Sequence, residues 1–188
     1  MKPTHYYTEF ELLEFGIAQV GENVRVSSLS TIVGIENLYL GSNIRIDSYV
    51  TVIASRGPLR IGNNVHIEPS SSIVSHFGVS IGNYCTLSHG VRIFTASADY
   101  SGDHLTNSFP EPKFQKPVAG RIIIQDHVII GANSVVMPNL TISEGAAIGA
   151  LSFVRKSLEG WTIYGGNPLR IIRTRNNKIS EFDNRTIL

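Results

Sequence analysis

Residues 61–93 of the chain read IGNNVHIEPSSSIVSHFGVSIGNYCTLSHGVRI. Within this stretch, aliphatic residues stand six positions apart in two groups of three, and we call each group a triplet. A period of six matches neither an α-helix nor a single strand. It fits a short strand plus a turn, with one aliphatic side chain pointing inward per segment, so three segments close one triangular coil. The pattern therefore predicts a β-solenoid. Six such triplets occur, and all their positions hold Val, Ile or Leu: Val20, Val26, Ile32; Leu40, Ile46, Val52; Ile61, Ile67, Ile73; Ile81, Leu87, Ile93; Ile124, Ile130, Val136; Ile142, Ile148, Val154.

The residues between the aliphatic positions have the chemistry of tight corners. Glycine follows the aliphatic residue in most coils, and asparagine often stands two positions after the glycine, as at Asn23, Asn43 and Asn64. Asparagine tolerates the left-handed backbone conformation that a tight corner requires. We therefore predict an all-β fold, a parallel β-helix of about six triangular coils with one long protruding loop and short terminal extensions.

The insertions between the triplets all follow the third hexad, so we expect every insertion to leave the prism at one corner. The longest insertion, residues 94–123, is too long for an idle connection and is typical of a functional loop. The coils themselves occupy residues 20–156. We expect an N-terminal cap or helix over residues 1–19 and a C-terminal extension and tail over residues 157–188.

Composition excludes several classes of protein. The 188 residues carry a formal net charge of +1 without a long basic run, which gives no electrostatic reason to expect nucleic acid as a partner. The chain has neither an apolar run long enough to span a membrane nor the cationic start of a secretion signal. We therefore expect a cytoplasmic protein without stable membrane insertion. The single cysteine, Cys85, falls in an inward position and is expected to be a core residue rather than a nucleophile.

The end of the repeat region reads IGA at residues 148–150, VRK at 154–156 and IYGGNPLRIIR at 163–173. Together with the hexads and the long loop, this ending resembles the left-handed β-helix, hexapeptide-repeat acyltransferases, in the branch of the galactoside and maltose O-acetyltransferases. The resemblance implies a homotrimer with active sites between subunits and acetyl-CoA along the C-terminal coils. Small residues suit a slender pantetheine arm, and fixed cations suit phosphates. The implied cofactor contacts are Ala132 and Ala150 for pantetheine, and Lys156, Arg170 and Arg173 for the phosphates.

The acceptor side departs from the family pattern, because the family's general-base histidine in the long loop falls on Ala98. A base takes the proton from an attacking hydroxyl, and imidazole is best matched to neutral pH for this task. His104, which lies within the loop, could swing back to replace the missing base. The candidates for the catalytic role are His127, His89 and Asp99. The candidates for binding the acceptor are His76, His66 and Glu68.

The sequence thus predicts an acetyl-CoA-dependent O-acetyltransferase that acts on a hydroxyl of a sugar or saccharide, with no metal and no covalent enzyme intermediate. One alternative is an N-acetyltransferase of a nucleotide-linked amino sugar, whose amine needs less help from a base. Another is a trimeric scaffold without catalysis. A β-helix carbonic anhydrase is disfavoured, because the histidines, at positions 5, 66, 76, 89, 104 and 127, lack the close pair of zinc ligands of that class.

Overall fold

The computed structural model describes residues 5–107 and 111–182, in which the chain winds into a three-sided prism of stacked short strands. Residues 1–4, 108–110 and 183–188, which fall in the predicted cap, loop and tail, lie outside the described residues. We call the three sides faces A, B and C. Face A consists, in spatial order, of Tyr6–Tyr7, Val24–Ser27, Ile44–Ile46, Val65–Ile67, Thr86–Leu87, Ile129–Ile130, Ala147–Ile148, Thr162–Gly165 and Arg170–Thr174. Face B consists of Leu38–Leu40, Leu59–Ile61, Val79–Ile81, Ile122–Ile124 and Leu140–Ile142. Face C consists of Thr31–Val33, Thr51–Ile53, Ser72–Val74, Arg92–Phe94, Val135–Val136 and Phe153–Val154.

Parallel pairing between successive coils lines up the aliphatic positions in columns. Ile61 pairs with Ile81, and Ile81 pairs with Ile124, so each inward side chain sits directly over the one in the coil below. The inward column is buried as the hexads predict, and only Val20 and Ile32, at the N-terminal end of the prism, are partly exposed. Because burying one aliphatic side chain contributes about 1.5–3 kcal/mol, this column is the main stabilising feature of the fold.

The corner between faces B and A has the predicted left-handed conformation. Its corner residue has φ of 53° at Asn23, 58° at Asn43, 57° at Asn64, 55° at Tyr84 and 59° at His127. The asparagine amides also form a ladder, because Asn23 Nδ2 donates to Asn43 Oδ1 at 2.9 Å and Asn43 Nδ2 donates to Asn64 Oδ1 at 3.1 Å. One residue type therefore satisfies both the backbone conformation and the stacking of the coils.

Each end of the prism is covered by its own segment. At the N-terminal end, the helix Glu9–Glu14 begins with a capping box between Thr8 and Glu11, and its Leu12 is buried against the core. At the C-terminal end, the strand Thr162–Gly165 continues face A with a seventh parallel strand, and Arg170–Thr174 returns antiparallel to it. The repeat thus continues for about one turn beyond the six predicted coils.

The long loop leaves the corner between faces C and B, where the sequence places every insertion. It begins with a short antiparallel hairpin of Ala96–Ser97 with Val118–Ala119. At its base, the buried Thr95 donates its hydroxyl to the Val74 carbonyl, and the same hydroxyl oxygen accepts the backbone N–H of His76. The loop is therefore anchored to the coil beneath it. Within the described residues, the 3₁₀ helices are Ile35–Asn37, Pro112–Phe114 and Lys178–Phe182.

Candidate active site

A groove of about 900 Å³ lies between the outer surface of face C and the long loop. Its floor consists of outward side chains of the last three strands of face C and the residues directly after them, and most of these side chains are apolar. Its wall is the start of the loop, where Ala98, the position of the missing family histidine, and Asp99 both contribute. The floor residues are Phe94, Val135, Met137, Pro138, Phe153 and Arg155.

A second pocket of about 370 Å³ continues this groove toward the C-terminal end of the chain. The two pockets share Phe153 and Arg155, and the second also contains Lys156 and the segment 167–169. The side chains of Arg155 and Lys156 give this end of the groove two positive charges. Fixed cations beside an open pocket are suited to phosphate groups.

Asp99, on the loop wall, is hydrogen-bonded to His104. The Asp99 carboxylate accepts a hydrogen bond from Nδ1 of His104 at 2.7 Å, and it also accepts the backbone N–H and the hydroxyl of Ser101, both at 2.8 Å. The hydrogen bonds from Ser101, followed by the one from His104, lower the pKa of Asp99 to about 2. Asp99 is therefore ionised at neutral pH and holds the imidazole in one orientation.

A second pair of imidazole and carboxylate lies at the corner between faces A and C. Nδ1 of His89 contacts Oε2 of Glu68, and the same carboxylate oxygen accepts the His89 backbone N–H at 3.2 Å. The His89 side chain is 64% exposed and lines neither of the two pockets described above. The structure thus brings together His89, a candidate for the catalytic role, and Glu68, a candidate for binding the acceptor.

His66, which we predicted to bind the acceptor beside Glu68, has a different partner. Its Nε2 lies 2.7 Å from Asp47, whose carboxylate also accepts hydrogen bonds from Arg45 at 2.7 Å and from the Tyr6 hydroxyl at 2.9 Å. Burial opposes the ionisation of Asp47, but the hydrogen bonds from His66, Arg45 and Tyr6 outweigh it and lower the pKa of Asp47. This cluster ties the antiparallel N-terminal strand Tyr6–Tyr7 to the parallel strands of face A.

His127 is a corner residue and lies away from the loop. It is 5% exposed, and its ring stacks on Tyr84 in the coil below, with the ring centroids 5.2 Å apart and the planes 4° from parallel. Trp161 lies on its other side at 6.0 Å, and the Arg175 guanidinium donates to the His127 carbonyl at 2.8 Å. His127 therefore lies at the corner between faces B and A, whereas Asp99 lies in the loop, which leaves the corner between faces C and B.

The remaining predicted residues lie around the groove rather than in it. His76 stands one coil below the loop, where its backbone N–H bonds to Thr95. Ala132 and Ala150 occupy consecutive coils at the corner between faces A and C, where the Ala132 carbonyl accepts the N–H of Leu151 at 2.8 Å. Arg170 directly follows the residues that line the second pocket, whereas Arg173 lies further along the same strand.

Sequence reasoning missed Arg155 and the apolar floor. The first outward position of the face C strands holds Thr51 and Ser72 in earlier coils but Val135 and Phe153 in the last two. This change from polar to apolar in an outward register was the available signal. Cys85 is buried as predicted, and burial raises the pKa of its thiol to about 12, so it is not a nucleophile.

Among residues 5–107 and 111–182, no group of three or more His, Cys, Asp or Glu side chains could hold a metal ion. Within the same ranges, none of the helices has the length and hydropathy needed to cross a membrane.

Comparison with known proteins gives the family. No protein-family model matches the chain. The chain is 36% identical over 178 residues to a dTDP-4-amino-4,6-dideoxy-D-glucose acyltransferase of Escherichia coli, which covers 95% of this chain and 93% of that protein. A solved variant of an N-acyltransferase from Bacillus cereus, in complex with dTDP-4-amino-4,6-dideoxyglucose and coenzyme A, has a TM-score of 0.91 at 32% identity and covers 96% of both chains.

A protein named for O-acetyl transfer in lipopolysaccharide biosynthesis, from Escherichia coli strain K12, is 27% identical over 149 residues, covering 76% of this chain and 71% of that protein. The coils, the loop at the predicted corner and these likenesses agree with the resemblance drawn from the hexads. The chain belongs to the hexapeptide-repeat, left-handed β-helix acyltransferases.

Proposed function

We propose that the chain transfers an acyl group from acyl-CoA to the amino group of a dTDP-linked amino sugar. The observation that carries the proposal is the groove on face C, which has an apolar floor, cations toward the second pocket and a carboxylate on the loop wall. A CoA thioester combines an apolar arm with charged phosphates, so its two parts match the two parts of the groove.

The fit of acyl-CoA follows from the position of each group. The pantetheine arm and the acyl group lie over Phe94, Val135 and Phe153, where they are shielded from water. The phosphates lie toward Arg155 and Lys156, at the end that the second pocket extends. The predicted contacts of Ala132 and Ala150 with pantetheine, and of Arg170 and Arg173 with phosphate, stay part of this proposal.

The amine as acceptor replaces the hydroxyl that the sequence favoured. Two relatives that cover nearly the whole chain are named for a dTDP-linked amino sugar or for N-acyl transfer, whereas the O-acetyl transferase is less similar and covers less of the chain. The chemistry supports the same choice, because an unprotonated amine is a better nucleophile than a hydroxyl. It therefore depends less on the family's histidine, which is Ala98 here.

The assembly is proposed on the resemblance alone. A homotrimer would place the loop of one subunit near a neighbouring prism, and the predicted contacts of His66, Glu68 and His76 with the acceptor stay part of this proposal. Light scattering should give a mass three times the 20.6 kDa of the chain. A single chain at the concentration of the assay would contradict this part of the proposal.

The test of the function uses two acceptors that differ at one group. The first is dTDP-4-amino-4,6-dideoxyglucose, and the second is dTDP-6-deoxyglucose, which has a hydroxyl on the same carbon. Each is incubated with acetyl-CoA, and the product is identified by mass spectrometry while thiol release is followed. We expect acetylation of the amine acceptor at a higher kcat/KM. A higher kcat/KM for the hydroxyl acceptor would restore O-acetyl transfer, and no product from either would refute the proposed acceptor class.

A further inference from the structure

On the basis of the proposed function, we propose that His104 accepts the proton from the acceptor nitrogen and that Asp99 is the residue that positions it. A pocket of about 440 Å³ adjoins the loop wall and is lined by residues that include Asp99, His104 and Lys116. Asp99 lines this pocket and the groove on face C, so it stands at the junction of the two. An acceptor in this pocket and a thioester in the groove on face C would meet beside Asp99 and His104.

Asp99 is poorly suited to accept the proton itself. Its carboxylate already accepts three hydrogen bonds, two from Ser101 and one from His104. These bonds lower the pKa of Asp99 to about 2, so the carboxylate is a weak base at neutral pH. What an ionised carboxylate does well in this position is to fix the orientation of its neighbour.

His104 has the complementary properties. Because the ionised Asp99 can only accept, the hydrogen of the neutral imidazole lies on Nδ1, and Nε2 carries the free lone pair. Among the residues that the structure describes, no hydrogen bond occupies Nε2. The His104 side chain is 29% exposed and lines the pocket of about 440 Å³, so a ligand in that pocket can reach the ring while Asp99 holds it at Nδ1.

Three of the other imidazoles are engaged differently. His127 is stacked and buried at another corner, and Nε2 of His66 is held by Asp47. His89 is paired with Glu68 but lies outside the groove and outside the pocket that contains His104. Among the histidine–carboxylate pairs that the structure describes, the pair on the loop is thus the one that adjoins both cavities.

The chemical step balances without a further reagent. The nitrogen lone pair of the acceptor forms a bond to the thioester carbonyl carbon, and the carbon–sulfur bond breaks with its electrons going to sulfur. The proton lost by nitrogen passes to Nε2 of His104, and the imidazolium then gives it to the CoA thiolate. The products are the amide and free CoA, and His104 returns to its neutral form.

The experiment compares His104→Ala and His104→Gln with the wild type, using the amine acceptor and acetyl-CoA. Glutamine can still donate an N–H to Asp99 but cannot accept a proton, so both variants should lose about 10²-fold in kcat with little change in the KM for acetyl-CoA; this is the low end for general-base catalysis, because an amine needs less help from a base than a hydroxyl does. Free imidazole should restore part of the kcat of His104→Ala, whose missing ring leaves room for it, and none of the kcat of His104→Gln. Asp99→Asn should lose kcat, and free imidazole should not restore it, because the His104 ring is still present in this variant and occupies the site.

The matched control is His5→Ala, an exposed histidine at the N-terminal end of the chain, which should keep the wild-type kcat. Wild-type kcat in His104→Gln would overturn the inference. A loss in His104→Ala that imidazole does not rescue would also overturn it, because it would make the role of His104 structural. If the wild type acylates no amino sugar, the proposed function is wrong and this inference is wrong with it. If both the wild type and His104→Gln are active, only the role of His104 as the base is refuted.

Discussion

Replacement of Arg155 by alanine tests whether the groove binds a CoA thioester in the proposed direction. Arg155 lines both the groove and the second pocket, so it lies where the apolar floor gives way to the positive end. A hydrogen bond to a charged group contributes about 1.5–3 kcal/mol, and the exposure of Arg155 reduces this to about 1–2 kcal/mol. Since 1.4 kcal/mol is a factor of ten, the KM for acetyl-CoA should rise about 5- to 30-fold in Arg155→Ala.

The assay compares two donors. Acetyl-pantetheine carries the thioester and the apolar arm but no phosphate, so on this donor Arg155→Ala should keep kcat/KM within about twofold of the wild type. Lys178→Ala removes a cation outside both pockets and serves as the control on both donors. An equal loss on acetyl-CoA and on acetyl-pantetheine, or no loss on acetyl-CoA, would refute the assignment of this end of the groove to the phosphates.

Three further predictions concern the prism. Ile67→Ala, at a fully buried position, should lower the free energy of unfolding by about 2–5 kcal/mol in urea denaturation. Val33→Ala on the outer surface should change it by about 0.5 kcal/mol or less, and equal unfolding midpoints for the two variants would contradict the assignment of Ile67 to the core. Asn64→Ala should cost about 1–2 kcal/mol, because its φ is 57°, and Asn64→Gly should cost less; the reverse order would disprove the corner argument. Asp47→Asn should be less stable than the wild type at neutral pH, because the lowered pKa of Asp47 means that its ionised carboxylate stabilises the fold. The difference in unfolding free energy should shrink at about pH 3, where the wild-type carboxylate begins to take up a proton, and a difference independent of pH would refute this.

Most of the fold could be predicted from the sequence because the hexad is a direct record of which side chains face inward. The left-handed corners followed from asparagine at fixed offsets, and the loop followed from its length. The seventh strand of face A was missed because its inward position holds Tyr164 rather than an aliphatic residue. Tyr164 is 5% exposed, and its hydroxyl accepts the N–H of Glu159 at 3.0 Å and donates to the Glu159 carbonyl, which makes the burial of a tyrosine possible.

The candidate site was less predictable, because it depends on the conformation of a loop that follows no period. The sequence pointed to Asp99 through its position beside Ala98, but the turn at Ser101 that brings His104 back to Asp99 has no counterpart in the hexad pattern. Conversely, His127 was prominent in the sequence because it directly follows the loop. The structure gives it the left-handed corner conformation that asparagine has in other coils, together with an aromatic stack that the sequence pattern did not indicate.

The most direct measurement is a crystal structure of the chain with a non-hydrolysable acetyl-CoA analogue and dTDP-4-amino-4,6-dideoxyglucose. The account predicts the pantetheine arm over Phe94, Val135 and Phe153, the phosphates beside Arg155 and Lys156, and the sugar nitrogen within hydrogen-bond distance of Nε2 of His104. A thioester bound away from face C, or a sugar nitrogen against His89 or His127 instead, would contradict it.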